Sequence, residues 1–342
     1  DSFVGGYYWL SDERIGFSLR KKGAAYAQPF YMGQMEAVNA DGSQKKMIIG
    51  SANVRRASRV VRNDVGRTAF SVISRYKEDK DHILVGMYEK DYPSLYKVNI
   101  HTGKKSKIAT SPAMRGGITL DTNNEFRLSI GENIKNQRTV YYRDSLDSEW
   151  ELHGVYSMGQ GEVIPFDFSP DNSFLYAYCN IEASTDGICK YYPKTKTTEL
   201  IYRNENVDAD AWIDRDTNEL LSINVYDGKG EEIWMTKSAP MVKKMRALEK
   251  VFPNHSVSLV DSTENRDELI IYVSSDTDPG GYYSFKTKTN ELKDLGLSPR
   301  GWINPSDMSP MEPISYQARD GLTIHGYLTK PKGQENNLPL IV

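Results

Sequence analysis

One phrase returns along the chain at a fixed interval, and few folds tolerate that. "LYKVNIHTGKKSKI", "CKYYPKTKTTELI" and "YYSFKTKTNELKDL" each run an apolar strand, a polar turn, a basic patch and an aliphatic close. Their turns, at Thr102, Thr195 and Thr289, lie 93 and 94 residues apart, which is two periods of about 47. Related turns fall near Asp147 in "VYYRDSLDSEWEL", near Pro240 in "IWMTKSAPMVKKM" and at Asp41-Gly42 in "MEAVNADGSQKKMI". Ahead of each hairpin stands a second signature, an apolar strand, an aspartate-rich corner and another strand. Its aspartates are Asp12, Asp121, Asp171, Asp214 with Asp216, and Asp261. Asp and Asn favour such corners because their side chains bond backbone amides two residues on.

Each unit therefore reads as four antiparallel strands in about 45 residues, the size of a β-propeller blade. The fold class expected is all-β, a propeller of four-stranded blades with six units visible. A β-sandwich would also use short alternating strands, but it does not repeat one turn chemistry at fixed spacing. The step from Asp41 to Thr102 is long at 61 residues, so "GSANVRRASRVVRNDVGR" is expected to be an extended loop.

Composition narrows the function classes. A chain of 342 residues can bury a large core, and no stretch approaches the roughly 18 consecutive apolar residues of a membrane span. A net charge of -3 gives no electrostatic case for nucleic acid or anionic lipid. Tyrosine outnumbers phenylalanine 22 to 10, which suits half-buried strands needing an apolar body and a wet tip. Asp1-Ser2-Phe3 begins in mid-pattern without a charged-then-apolar leader and reads as the start of a mature or excised fragment.

The periodicity ends after Leu295. "SPRGWINPSDMSPMEP" reads as a linker, and "ISYQARDGLTIHGYLTKPKGQENNLPLIV" is a different kind of segment. It predicts a hairpin cornered at Arg319-Asp320-Gly321, then Pro331, a polar spacer and an apolar strand from Leu338 to Val342. The boundary expected is a propeller over residues 1–306 and a linker with the start of a second domain over 307–342. This terminal segment, together with blade sequences such as "DHILVGMYEKDYPSLYKVNIHTGKKSKI", resembles the prolyl oligopeptidase family of serine peptidases, in its acylaminoacyl-peptidase and dipeptidyl-aminopeptidase-like branch.

A start in mid-blade reads as part of a further blade upstream, seven in the parent protein, and the resemblance implies an α/β-hydrolase domain whose central sheet the last apolar run would join. It implies a peptidase that cleaves short peptides through an acyl-enzyme. Its partners would be those peptides and the chain's own hydrolase domain, and it would need no cofactor. In the family a His-Gly-Gly segment and a Gly-x-Ser-x-Gly elbow follow the apolar strand. Neither occurs in these 342 residues, so the fragment by itself is expected to be inactive, with no catalytic residue to assign. The alternative reading is a non-enzymatic propeller that docks other proteins on one face.

Other candidate chemistry reads as structural. The five histidines, His82, His101, His153, His255 and His325, sit singly in strands or turns, and His325 reads as an exposed strand residue. No metal-ligand spacing is present; "DADAWIDRD" and "DTDPGG" read as blade corners rather than calcium loops. The arginines Arg55, Arg56, Arg59, Arg62 and Arg67 read as a solvated loop, with a contact to the second domain as the alternative. Cys179 and Cys189 flank "NIEASTDGI". A hairpin centred near Ser184 would set them directly opposite, about 4.5–5.5 Å apart at Cα, within reach of a disulfide. Two reduced thiols packed between blades is the other reading. A bridge would favour a periplasmic over a cytoplasmic setting.

Overall fold

Among the described residues each strand pairs only with the strand before or after it in the sequence, always antiparallel. The computed structural model describes residues 2–22, 30–50, 69–75, 79–88, 91–228, 230–333, 336 and 338–341. The first blade holds β1 (Ser2–Ser11), β2 (Arg14–Lys21), β3 (Phe30–Asn39) and β4 (Lys46–Ile49). The second holds β5 (Ala69–Arg75), β6 (His82–Tyr88), β7 (Ser94–Asn99) and β8 (Lys105–Thr110). The third holds β9 (Thr119–Leu120), β10 (Phe126–Glu132), β11 (Arg138–Tyr142) and β12 (Glu151–Tyr156). The fourth holds β13 (Val163–Phe168), β14 (Leu175–Cys179), β15 (Gly187–Tyr192) and β16 (Thr197–Tyr202).

The fifth blade has three strands, β17 (Ala209–Ile213), β18 (Leu220–Val225) and β19 (Glu231–Trp234). The helix α1 (Pro240–Val251) follows them. The sixth holds β20 (Ser256–Ser262), β21 (Glu268–Ser275), β22 (Asp278–Lys286) and β23 (Glu291–Leu297). A separate hairpin, β24 (Met311–Gln317) with β25 (Thr323–Thr329), comes last. This is the all-β architecture of propeller blades. The chain divides into two compact units, Asp1–Arg203 with blades one to four and Asn204–Val342 with blades five and six and the hairpin.

Burial follows the position of a strand in its blade. β6 is buried at five consecutive residues, Ile83 to Met87, whereas Lys105 to Lys107 of β8 are all exposed. Middle strands are flanked on both edges and covered on both faces, so they read as continuous apolar runs; outermost strands meet water. The cores lie between successive sheets. Met35 and Ile49 of the first blade pack with Ile83, Val85 and Val98 of the second. Leu84 and Leu95 of the second pack with Phe126 of the third, and Leu128 and Val140 with Phe168 and Leu175 of the fourth. Each such side chain, fully buried, stabilises by about 1.5–3 kcal/mol.

The corners explain the repeat. In four blades a corner residue accepts a backbone bond from a left-handed residue at the end of the turn. The pairs are Asp121 with Asn124, Ser169 with Asn172, Asp214 with Asn218, and Thr263 with Arg266. The left-handed residues have φ of 62°, 57°, 57° and 57° and are spaced 48, 46 and 48 apart. Asparagine is enriched there because its short polar side chain tolerates φ > 0. Asp121, Asp171 and Asp214 take the corner amides that sequence assigns them. Asp261 does not. It lies inside β20 and accepts only from the next residue, Ser262, because the turn begins two residues later, where Thr263 takes the aspartate's place.

One further expectation changes. Pro240 begins α1 rather than turning a hairpin: its missing N–H costs nothing in a first helical turn, and Met241, Val242, Met245 and Leu248 give the helix a buried face. Leu338 to Ile341, expected to join the sheet of a second domain, pairs with no described segment; Leu340 and Ile341 are 79% and 92% exposed. The expected extended loop, with Arg55, Arg56, Arg59, Arg62 and Arg67, lies outside the described residues.

Candidate functional site

Buried arginines join the blades of the first unit, and nothing in the spacing of the repeat announces them. Arg14, 2% exposed at the start of β2, donates only to neutral acceptors. These are Ile100 O at 2.7 Å in the second blade, Asn39 Oδ1 at 2.6 Å, Gln44 O at 3.0 Å and Ala37 O at 3.4 Å. Burial pushes its pKa down from the ordinary arginine value. Above it opens a polar cleft of about 570 Å³ whose rim carries Asp12, Lys45, Lys80, Asp81 and His101. The rim charges are largely answered within the chain. Lys80 lies 3.4 Å from Asp12, His101 3.3 Å from Asp81, and Lys45 2.7 Å from Glu36. Gly103 closes the turn beside it with φ +73°, and a Cβ there would meet Ile48 backbone at 3.0 Å.

The third blade also buries arginines, whose hydrogen bonds stay within that blade, while Arg127 reaches the fourth over the Phe168 ring at 5.2 Å. Arg127 bonds Asp121 Oδ2 at 3.0 Å, the Arg143 carbonyl at 3.1 Å and the Tyr142 hydroxyl. Arg143 in turn donates to Phe126 O and Leu146 O, both at 2.8 Å, and stacks over Trp150 at 4.4 Å. Its second terminal nitrogen is buried without a hydrogen-bond partner, and burial lowers its pKa. An arginine inside an otherwise apolar strand, as in "RIGFSL" and "EFRLSI", is the signal sequence reasoning passed over.

The histidines remain dispersed. His82 Nδ1 lies 2.9 Å from Asp79, a corner carboxylate held down to about 2 by hydrogen bonds from Lys97 and His82. His255 Nε2 lies 3.3 Å from Asp278, and His325 is exposed on β25. His153 is the buried one. Its Nδ1 meets the Tyr191 hydroxyl at 2.8 Å, its Nε2 stops 3.6 Å from Glu151, and burial drives its pKa down. None of these contacts is with a serine hydroxyl. Among the described residues no group of three or more metal-binding side chains converges, and no helix is long and apolar enough to cross a membrane.

Cys179 and Cys189 are joined by a disulfide in the core of the fourth blade, with Cα atoms 6.2 Å apart. They are not directly opposed. The register pairs Cys179 with Gly187 and Ala177 with Cys189, so the turn centres on residue 183, not 184, and the cysteines meet diagonally. One residue of slip at the centre moves every partner by two.

The feature most unlike a blade is the terminal hairpin. Its two strands pair in unbroken register from Met311↔Thr329 to Gln317↔Thr323, around the Asp320-Gly321 corner. Every residue of β24 is exposed, including Met311, Ile314 and Tyr316, and Leu322 and Tyr327 are exposed beside them. Two anchors hold it to its unit. Asp276, in the β21–β22 turn, accepts from the Met311 amide at 2.8 Å. The Tyr327 hydroxyl bonds the carbonyls of Tyr226 and Gly228 in the β18–β19 loop. Both anchoring loops join the second and third strands of their blades.

Blades, corners and an appended hairpin define a propeller-type protein. No family model matches the sequence, and no curated protein matches it. Solved structures do. A puromycin hydrolase complexed with PGG is similar at 10% identity and TM-score 0.51, over 93% of this chain and 57% of that one. Prolyl oligopeptidase B from Galerina marginata, bound to a 35mer hydrolysis and macrocyclization substrate, is similar at 10% identity and TM-score 0.51, over 98% and 46%. A prolyl endopeptidase aligns at 12% identity and TM-score 0.45, over 98% and 55%. At these identities the likeness is one of fold. The chain spans about half the length of these structures.

Proposed function

We propose that this chain is the propeller portion of a serine peptidase of the prolyl oligopeptidase family, acting as a steric gate to a hydrolase domain carried elsewhere in the protein. The observation that carries the reading is the β24–β25 hairpin. It belongs to no blade, keeps the Arg319-Asp320-Gly321 corner and offers apolar side chains to a neighbour. The fold likeness to peptidases supports it, as does the chain's coverage of about half their length. Nucleophile, base and oxyanion donors would come from the hydrolase domain. The blades would contribute exclusion, admitting short or unfolded peptides and turning away folded ones.

Two measurements test this. The chain of 342 residues should not hydrolyse acyl-amino-acid or dipeptide anilides. The complete product of its natural gene should hydrolyse them, spare folded proteins, and react with a fluorophosphonate at a serine outside these residues. Labelling of a serine within this chain, or a complete product with no reactive serine, would sink the proposal. The second outcome would favour an interaction scaffold.

A further inference from the structure

The cleft over Arg14 is walled by turns and strand ends of two neighbouring blades. The β1–β2 and β3–β4 connections bring Arg14, Asn39, Gln44 and Lys46 to it, and the β5–β6 and β7–β8 turns bring Asp81 and His101. At about 570 Å³ it has the size of a small-molecule site.

Its wall holds a buried charge without a counter-charge. Arg127, Arg138 and Arg266 each meet a carboxylate, at Asp121, Glu162 and Asp214. Arg14 meets none. Burial lowers its pKa with no carboxylate to restore it, whereas around Arg143 the acids Glu125, Asp147 and Glu149 act against the fall. A buried cation left without an anion is costly.

The guanidinium also has a donor to spare. It carries five N–H groups. Among the described residues Nε bonds Ile100 O, Nη2 bonds Ala37 O and Gln44 O, and Nη1 bonds Asn39 Oδ1 alone. One Nη1 proton is therefore unused, in a residue 2% exposed. Asn39 and Gln44, which hold the two terminal nitrogens, line the cleft with Arg14, so the charged end of the side chain stands at its wall. Lys45, Lys80 and His101 are paired with acids, but Lys46 is exposed and has no ion-pair partner among the described residues. Glu13, the remaining acid of the rim, is exposed, where water weakens its field.

We propose that this cleft binds a small oxyanion, a phosphate or carboxylate group, with Arg14 as its buried charge and hydrogen-bond donor and Lys46 as its exposed charge. Both groups offer oxygens that only accept, as the unused proton requires, and a charge that answers the guanidinium. Because Arg14 Nε is bonded to Ile100 O in the second blade, occupancy should firm the turns of both blades.

Inorganic phosphate and succinate, titrated separately into the chain of 342 residues at neutral pH and constant ionic strength, test this. Hydrogen exchange at Asp12–Glu13, Asp41–Lys46 and His101–Gly103, referenced to β21 amides, should slow and saturate with at least one of them. Saturation by phosphate alone assigns the phosphate class, by succinate alone the carboxylate class, and competition between them a shared site. Lys46→Gln, at an exposed position, should raise the midpoint about tenfold or more, the scale of one charge-assisted bond. Arg14→Met keeps the stem, removes the charge and should abolish the response, with protection of β6 reporting that the blade is folded. Should that variant unfold, the shift in Lys46→Gln decides. No saturation by either anion, or a response that folded Arg14→Met retains, would overturn the proposal. A midpoint that Lys46→Gln leaves unmoved would do so too, by showing an adventitious ion only.

Discussion

Arg266 departs from its repeat at a single position, and its surroundings give the cause. Equivalent corners carry asparagine in the left-handed conformation, at Asn124, Asn172 and Asn218, whereas here an arginine adopts φ 57°. Two of these corner residues reach back to the preceding blade: Asn124 to Ser74 at 3.0 Å, and Asn172 to Thr122 at 3.2 Å through the Thr122 amide. Arg266 reaches back to Asp214 and Asp216. Burial raises the Asp214 carboxyl, but Arg266 and the amides of Asp216 and Thr217 outweigh it and hold the pKa below the usual range. Arg266→Asn would ease the backbone and still destabilise. It strands a carboxylate in a residue 5% exposed, a loss of about 2–4 kcal/mol in denaturant unfolding, with the partial exposure of Arg266 setting the lower end. Because the Asp214 pKa is depressed in the folded state, this stability is present above the ordinary carboxylate range and lost as pH falls below it. A variant as stable as the parent at neutral pH would show that the pair contributes nothing. The corner aspartates were legible from sequence because Asx chemistry is local; the partner of Asp214 was not, because it lies 52 residues away on the next blade.

At the scale of elements, α1 shows how a strong repeat hides an exception. The strand pattern calls for a fourth strand after β19, and Pro240 suits a turn. Yet Met241, Val242, Met245, Leu248 and Phe252 recur at helical spacing, and Pro240 is as apt at a helix start as in a turn. The helix is twelve residues long and its N-cap, Ala239, makes no side-chain cap bond. A segment of that length is marginal alone, so packing between Trp234 and Phe285 must hold it. Leu248→Ala, at a residue 2% exposed, should cost about 2–5 kcal/mol. Loss of α1 amide protection should accompany it. An unchanged unfolding midpoint would mean the helix is dispensable to its unit. The apolar run Leu338 to Ile341 satisfies a strand pattern whose expected partner is a second domain, and no described segment pairs with it.

For the whole molecule, the blades could be read from the sequence because each is built from neighbours in the chain, so local turn chemistry carries the architecture. The hairpin could be read for the same reason, as a tight corner between alternating strands. How it is held could not, since Tyr327 reaches backbone carbonyls about a hundred residues earlier. A two-stranded hairpin exposed on its faces is marginal in water without such support. Each neutral hydrogen bond adds about 0.5–1.5 kcal/mol. Tyr327→Phe removes the hydroxyl while keeping the ring. It should raise proteolytic cleavage and hydrogen exchange across Met311–Gln317 and Thr323–Thr329 and leave β21 protection unchanged. The Asp276 bond to the Met311 amide keeps one end tethered, so Asp276→Asn, which retains an acceptor, should have the smaller effect. Equal exchange in parent and Tyr327→Phe would mean that the hairpin is held by its own ladder, and its exposed surface would then be set by pairing rather than by its anchors.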